Sequence, residues 1–241
     1  FHIPRRLLNS NIIHLPTAKT HVFTTITGAM KNAFGALLNE DRHLAHERIH
    51  EALVDLLTIQ KRIHPGIFAV MDASWAGDGP GPRCLKPQAK DTILASSDQV
   101  AIDAVAAHLM GYDPLEDIKF IRLAHEKGLG CGDLDRIDIV GDTEAADECW
   151  NFEGPYRDMT FASRMQHAIY WGWLKDWLQW SLESCVAPWS YLASFLYHDC
   201  LWYPLVGRRR VHKALKDRWG QLFRRYAHMT GAEEENADDN G

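Results

Sequence analysis

The run Asn11-Ile12-Ile13-His14-Leu15-Pro16-Thr17-Ala18-Lys19-Thr20-His21 decides the fold. Its first five residues are a short apolar stretch that reads as a buried strand, ended by a proline. It leads into Thr24-Thr25-Ile26-Thr27-Gly28-Ala29-Met30-Lys31-Asn32, where Ile26, Met30, Ala33 and Leu37 recur at helical spacing. A strand passing directly into a helix is the unit of a layered α/β protein. Two lysines, a histidine, an asparagine and several threonines gather at this junction. Free N–H groups at a helix start attract anions, and nearby lysines deepen that attraction. The junction therefore reads as a site for a carboxylate or phosphate. Lys19 and Lys31 hold the anion in this reading, with Thr24, Thr25 and Asn32 assisting. The plainer alternative is helix capping by Thr24 or Thr25 beside solvated lysines.

Outward from the junction the alternation continues. Ile67–Asp72, Thr92–Ala95 and Ile137–Val140 read as further strands, each rich in Ile, Val or Ala. Helical patterns occupy 25–37, 44–62, 98–110 and 115–127. The expected fold is α/β, a mainly parallel sheet with flanking helices over residues 1–142. In such sheets ligands sit beyond the carboxyl ends of strands. Residues 142–160 are acidic and polar and read as a linker or irregular crossover. Seven of the nine tryptophans fall between Phe161 and Tyr226. Residues 143–228 are thus expected to form a Trp-rich helical extension, and 229–241 a disordered acidic tail.

Motifs in the first part of the chain resemble the Domain of Unknown Function 362 family. They are Leu15-Pro-x-x-Lys19-Thr-His21, Thr27-Gly-x-x-Lys31-Asn32-x-x-Gly35, Val70-Met71-Asp72, the Gly77-x-Gly79-Pro80-Gly81-Pro82 loop, Ala95-Ser96-Ser97-Asp98-x-x-Ala101-x-Asp103-Ala104 and Leu109-Met110-Gly111-Tyr112-Asp113-Pro114. The likeness covers 11–142 well and the remainder loosely, with Trp219-Gly220-x-Leu222-Phe223-x-x-Tyr226 similar to the end of some members. The family has no established activity to transfer. The resemblance implies a redox setting, since members are often associated with iron–sulfur ferredoxin modules, and hence a ferredoxin-type partner. It also implies further strands before Phe1, so the domain is expected to lack N-terminal strands.

The glycine loop follows a strand and brings backbone close to a ligand, which makes Gly77 and Gly79 binding candidates. It fits neither a dinucleotide fingerprint nor a P-loop, and a plain surface turn is the alternative. Asp98 reads either as the cap of the helix that follows or as a ligand contact. Asp103 sits among Val100, Ala101, Ile102, Ala104 and Val105, and a carboxylate on an inner helix face needs a partner. Asp72, Asp103, Lys19, His21 and Lys31 are expected to form one cleft. Within it Asp72 and Asp103 orient the lysines or coordinate a divalent cation, and His21 transfers protons.

A competing motif is His46-Glu47-Arg48-Ile49-His50, which satisfies His-Glu-x-x-His with His43 on the same helical face. Metal-dependent hydrolases use that spacing for two ligands and a general base. A solvated histidine face is the bland alternative.

The formal net charge of −6 argues against nucleic acid as the main partner. Five widely spaced cysteines without a Cys-x-x-Cys leave no iron–sulfur cluster ligated by this stretch. They suggest reduced thiols in the cytoplasm. Residues 208–226 carry eight lysines and arginines against Asp217 alone, a net +7. Val211, Leu215, Trp219, Leu222, Phe223 and Tyr226 lie between them at helical spacing. Such a helix suits packing on the α/β domain, an anionic membrane surface, or a partner's groove. A second class of function follows: a non-catalytic accessory subunit, peripheral to the membrane, that docks a redox complex through its C-terminal helices.

Overall fold

The computed structural model describes residues 3–38, 45–175 and 188–229. His43, Trp177, Trp180, Cys185 and the acidic tail from residue 230 lie outside the described residues. The chain divides into two compact units, Phe1–Leu192 and Ala193–Gly241.

The first unit is built on one sheet of β1 (Ile12–His14), β2 (Thr17–His21), β3 (Thr25–Thr27), β4 (Ile67–Asp78) and β5 (Lys86–Ser96). β4 is the central strand. β1 and β2 are successive pieces of one run, broken at Leu15-Pro16, and both pair with β4 in parallel. Pro16 lacks an N–H, yet its carbonyl still accepts from Asp72 N at 2.8 Å, so the two pieces stay in one column. β5 runs antiparallel along β4 from Ala69↔Ser96 to Asp78↔Lys86, and β3 returns antiparallel to β2. Three of the five strands thus share a direction, with an antiparallel strand on each flank.

The helices of this unit are α1 (Ala29–Asn32), α2 (Phe34–Leu37), α3 (Ile49–Ile63), α4 (Gln99–Met110), α5 (Lys119–Glu126), α6 (Thr143–Ala146) and α7 (Phe161–Tyr170). α4 packs on β4 and β5 and touches α1 and α5. Eleven of its twelve residues are buried, because Val, Ile, Leu and Ala occupy every face rather than one stripe. Asp98 caps its start, accepting from Val100 N at 2.8 Å, and Gly111 closes it at φ 98°. The core gathers Ile26, Met30, Leu53, Leu57, Met71, Leu109 and Phe120. Trp150 also packs into it, so the chain beyond 142 continues on the α/β body.

Three sequence expectations need correction. Thr25–Thr27 is strand rather than helix, since three β-branched residues find an open edge on β2. The helix read over 25–37 is two four-residue turns that meet at Ala33. Ile137–Val140 forms no strand: it lies over β5 and α4 without ladder bonds, and Val140 is solvent-exposed. A short apolar run becomes a strand only where an edge is there to pair with it.

Across the division lies α8 (Pro188–Phe195), which leads into a π-helical stretch, Leu196–Gly207. α9 (Arg208–Ala214) and α10 (Arg218–Met229) complete the second unit. No helix among the described residues is long and apolar enough to cross a membrane.

Candidate functional site

β2 and the turn after it organise the site. Alternation along β2 sends Thr20 to one face and Lys19 and His21 to the other. Thr20 Oγ1 donates to Gly79 O at 2.6 Å, and Val22 N donates to Gly81 O at 3.1 Å, so the glycine loop is sewn to β2. A Cβ on Gly81 would stand 2.1 Å from Thr20 O, which is why glycine is needed there. Among the described residues, Lys19 Nζ donates only to Thr17 O, at 3.2 Å. After Val22-Phe23-Thr24 the chain reverses into β3, opposes Thr27 to Lys19, and enters α1, which brings Lys31 within electrostatic reach of Lys19.

Around these lysines stands a wall of imidazole and aromatic rings centred on Phe23. The His167 ring stacks on Phe23 at 5.3 Å, and the His46 ring meets it edge-on at 5.1 Å. Tyr170 and Trp171 pack on the same ring at 5.7 and 5.4 Å. Lys31 Nζ lies 5.2 Å over Phe34, which in turn contacts His46. His167 is fixed by a short hydrogen bond between Nε2 and Val22 O. His21 Nδ1 accepts from Phe23 N at 3.2 Å, so the neutral ring carries its proton on Nε2.

The electrostatics are one-sided. Burial, and next the charge of Lys19, lowers the Lys31 ammonium from 10.5 to about 8. Burial also lowers Lys19. His21 is held well below its usual range by burial first, then by Lys31, His46, Lys19 and His167. It is therefore a neutral ring at physiological pH, while Lys31 titrates at about 8. Among the described residues no carboxylate compensates either ammonium.

The other expected site residues have different partners. Asp103 is fully buried and accepts from Ala29 N at 2.6 Å and Met30 N at 3.0 Å. It is the cap of α1, so the helix-start N–H groups assigned to an anion already hold an internal carboxylate. Burial raises Asp103 to about 7, against the lowering effect of those two bonds. Asp72 is exposed and accepts from Ser74 N at 2.8 Å, steadying an irregular stretch of β4 instead of facing the lysines. Asp98 joins its cap to the 131 loop by accepting from Cys131 N at 2.8 Å. Gly77 and Gly79 present their carbonyls to Thr20. Thr24 Oγ1 donates to Ile26 O at 2.7 Å, Thr25 Oγ1 lies 3.3 Å from Tyr156 OH, and neither caps a helix. Asn32 turns to His14, whose Nε2 meets Gln60 Oε1 at 2.7 Å.

His-Glu-x-x-His does not sit on one helix. Residues 45–48 form a 3-10 turn and α3 begins at Ile49, so His46 joins the Phe23 wall while His50 stacks on Phe120. Glu47 is bound to Lys175 at 2.8 Å. No group of three or more potential metal ligands occurs among the described residues.

Sequence reasoning missed His167 and Asp78. The only signal for the first was the i, i+3, i+4 spacing of His167, Tyr170 and Trp171. Asp78, buried, accepts from Gly79 N at 2.6 Å and from Glu153 N and Gly154 N at 3.0 Å, tying the 150s segment to the end of β4. A separate cavity of about 280 Å³ between β5, α4 and residues 137–146 is lined by three aspartates and no cation, which does not suit an anion.

Residues 1–108 match the model of the family described as domain of unknown function (DUF362). Among curated proteins, a thylakoid-associated protein of Synechocystis sp. is 30% identical over 110 residues, 43% of this chain and 33% of that protein. The chain thus spans about a third of that relative's length. No solved structure matches.

Proposed function

We propose that this chain binds a small anion, a carboxylate or a phosphate, at Lys19 and Lys31 against the histidine and aromatic wall. The observation that carries the reading is charge left uncompensated among the described residues. Burial disfavours both ammonium groups, and the charge of Lys19 lowers Lys31 further. Burying like charges together is unfavourable unless something of opposite sign offsets it. An anion seated between them does so and stabilises the charged form of both. The Nε2–H of neutral His21 adds a donor that needs no counter-charge. Any transformation of the ligand would use Lys31 as acid or base, because it faces the anion in this reading and its pKa has fallen to about 8.

The redox setting belongs to the same proposal and rests on the motif resemblance. The cysteine spacing leaves an iron–sulfur cluster to a ferredoxin-type partner. A second reading, an accessory protein working beside a membrane, is favoured by the thylakoid-associated relative.

Calorimetric titration with inorganic phosphate and with succinate tests the site, using the parent, Lys19→Ala and Lys31→Ala. Charge-assisted contacts are worth roughly 1.5–3 kcal/mol, so each substitution is expected to weaken binding about tenfold or more. Binding by both variants equal to the parent's, with thermal unfolding unchanged, refutes the anion site. Under the accessory reading, Lys31→Ala leaves complex formation intact.

A further inference from the structure

The second unit, taken by itself, is arranged unlike a surface that faces only water. Its π-helical stretch exposes Leu201, Tyr203 and Leu205, at 52%, 46% and 59% of their surface. Leaving aliphatic side chains in water on this scale marks an interaction surface. The cations begin where the apolar run ends: Arg208, Arg209, Arg210, Lys213 and Lys216 follow within ten residues. Four of these, with His212 and Pro204, line a shallow concavity of about 470 Å³ that contains no acid. In α10 the aromatic positions Trp219, Phe223 and Tyr226 share one helical face, and Arg224 and Arg225 fall on the other. Segment 208–226 carries +7 in a chain whose total is −6, so the positive charge is concentrated here.

We propose that the second unit is an interfacial anchor for an anionic membrane. The 195–206 run enters the boundary between headgroups and acyl chains, and the 208–225 cations meet lipid phosphates. The apolar run of Leu196–Gly207 passes directly into the cations of α9, and Pro204 lines the cationic concavity, a pairing that a lipid interface satisfies together. A soluble polyanion would engage the arginines and leave Leu201 and Leu205 in water. His198, Asp199 and Pro204 interrupt the run, so it lies in the interface instead of crossing it. Arg210 folds over the Trp202 ring at 5.4 Å, an arrangement that lets its stem cover apolar surface while the charge reaches the headgroups.

The test is flotation of the whole chain with vesicles of phosphatidylcholine alone and of phosphatidylcholine with an equal part of phosphatidylglycerol. The chain is expected to float with the mixed vesicles at low salt, to stay behind with the neutral ones, and to be released at high salt. Arg208→Gln with Arg209→Gln should weaken partitioning about 30-fold, from roughly fivefold per cation. Leu201→Ser with Leu205→Ser should weaken it at unchanged charge. Lys31→Ala should leave it unaltered, which keeps this result separate from the anion cleft. The proposal is overturned if the chain ignores anionic vesicles, or if the leucine pair is inert while a soluble polyanion competes fully. Loss of flotation in Lys31→Ala also overturns it, by assigning the headgroup to the cleft.

Discussion

Lys31 is the cleft ammonium whose pKa is displaced furthest from its ordinary value. Its displacement from 10.5 to about 8 corresponds to about 3 kcal/mol of unfavourable ionisation, at about 1.4 kcal/mol per pKa unit. A bound anion stabilises the protonated form and moves the pKa back toward its ordinary value. If the recovery is complete, protonated protein binds the anion about 300-fold more tightly than deprotonated protein. Affinity for sulfate, whose own charge is constant over the range, is therefore expected to be flat below about pH 7. It should fall by up to about tenfold per unit above about pH 8 and level off near pH 10.5, the ordinary lysine value.

Between those limits the complex holds a proton that the free protein has lost, so binding at pH 9 takes one up. Calorimetry in two buffers of different ionisation enthalpy reads that proton directly. Lys31→Met should remove most of the uptake and of the pH slope, leaving the part due to Lys19, whose pKa burial also lowers. The same depressed pKa acts on folding with the opposite sense. Between about 8 and 10.5 the unfolded chain binds the extra proton, so the parent gains stability with rising pH relative to Lys31→Met. A sulfate affinity that stays level from pH 7 to 10, or a slope undiminished in Lys31→Met, refutes the assignment.

Three further outcomes follow from the contacts. Asp103 binds a proton in the folded state up to about 7, whereas the unfolded chain releases it near 3.8, so the parent should lose about 4 kcal/mol of stability as pH rises through that window. Asp103→Asn should flatten this loss, and superimposable midpoints of denaturant unfolding against pH in the two proteins would refute it. Gly81→Ala drives a methyl into Thr20 O and should lower stability by about 1–3 kcal/mol, read from the same midpoints, and an unchanged midpoint would refute the close approach. Asp78→Ala strands three backbone donors and should cost about 3 kcal/mol or more. It should also speed hydrogen exchange at Glu153 and Gly154, and unchanged exchange there would show that Asp78 does not hold that segment.

The parts of the fold that could be read from sequence are those whose cause is local. Asn11–Leu15 carries its own apolar run and its own proline stop, and β1 lies inside it. Asp98 followed by an apolar helix and then Gly111 is a complete start-and-stop signal, and α4 obeys it. Thr25–Thr27 shows where local reading ends. Ile26 fits a helical period with Met30 equally well, and only the open edge of β2, set by pairing with β4 some fifty residues away, turns it into a strand.

Asp103 makes the same point for the site. A carboxylate among valines and alanines was rightly read as needing a partner, but its partners are backbone N–H groups, which no letter of the sequence marks. With the start of α1 filled internally, the positive potential offered to a ligand must come from side chains. Lys19 and Lys31 were legible because they flank the junction. Their ring wall was not, since His167 reaches Phe23 from a helix some 145 residues later in the chain and is held there by a single backbone carbonyl. The cleft therefore combines residues from the family region with one from outside it, and an anion site confined to residues 1–108 would lack the ring that packs over Phe23.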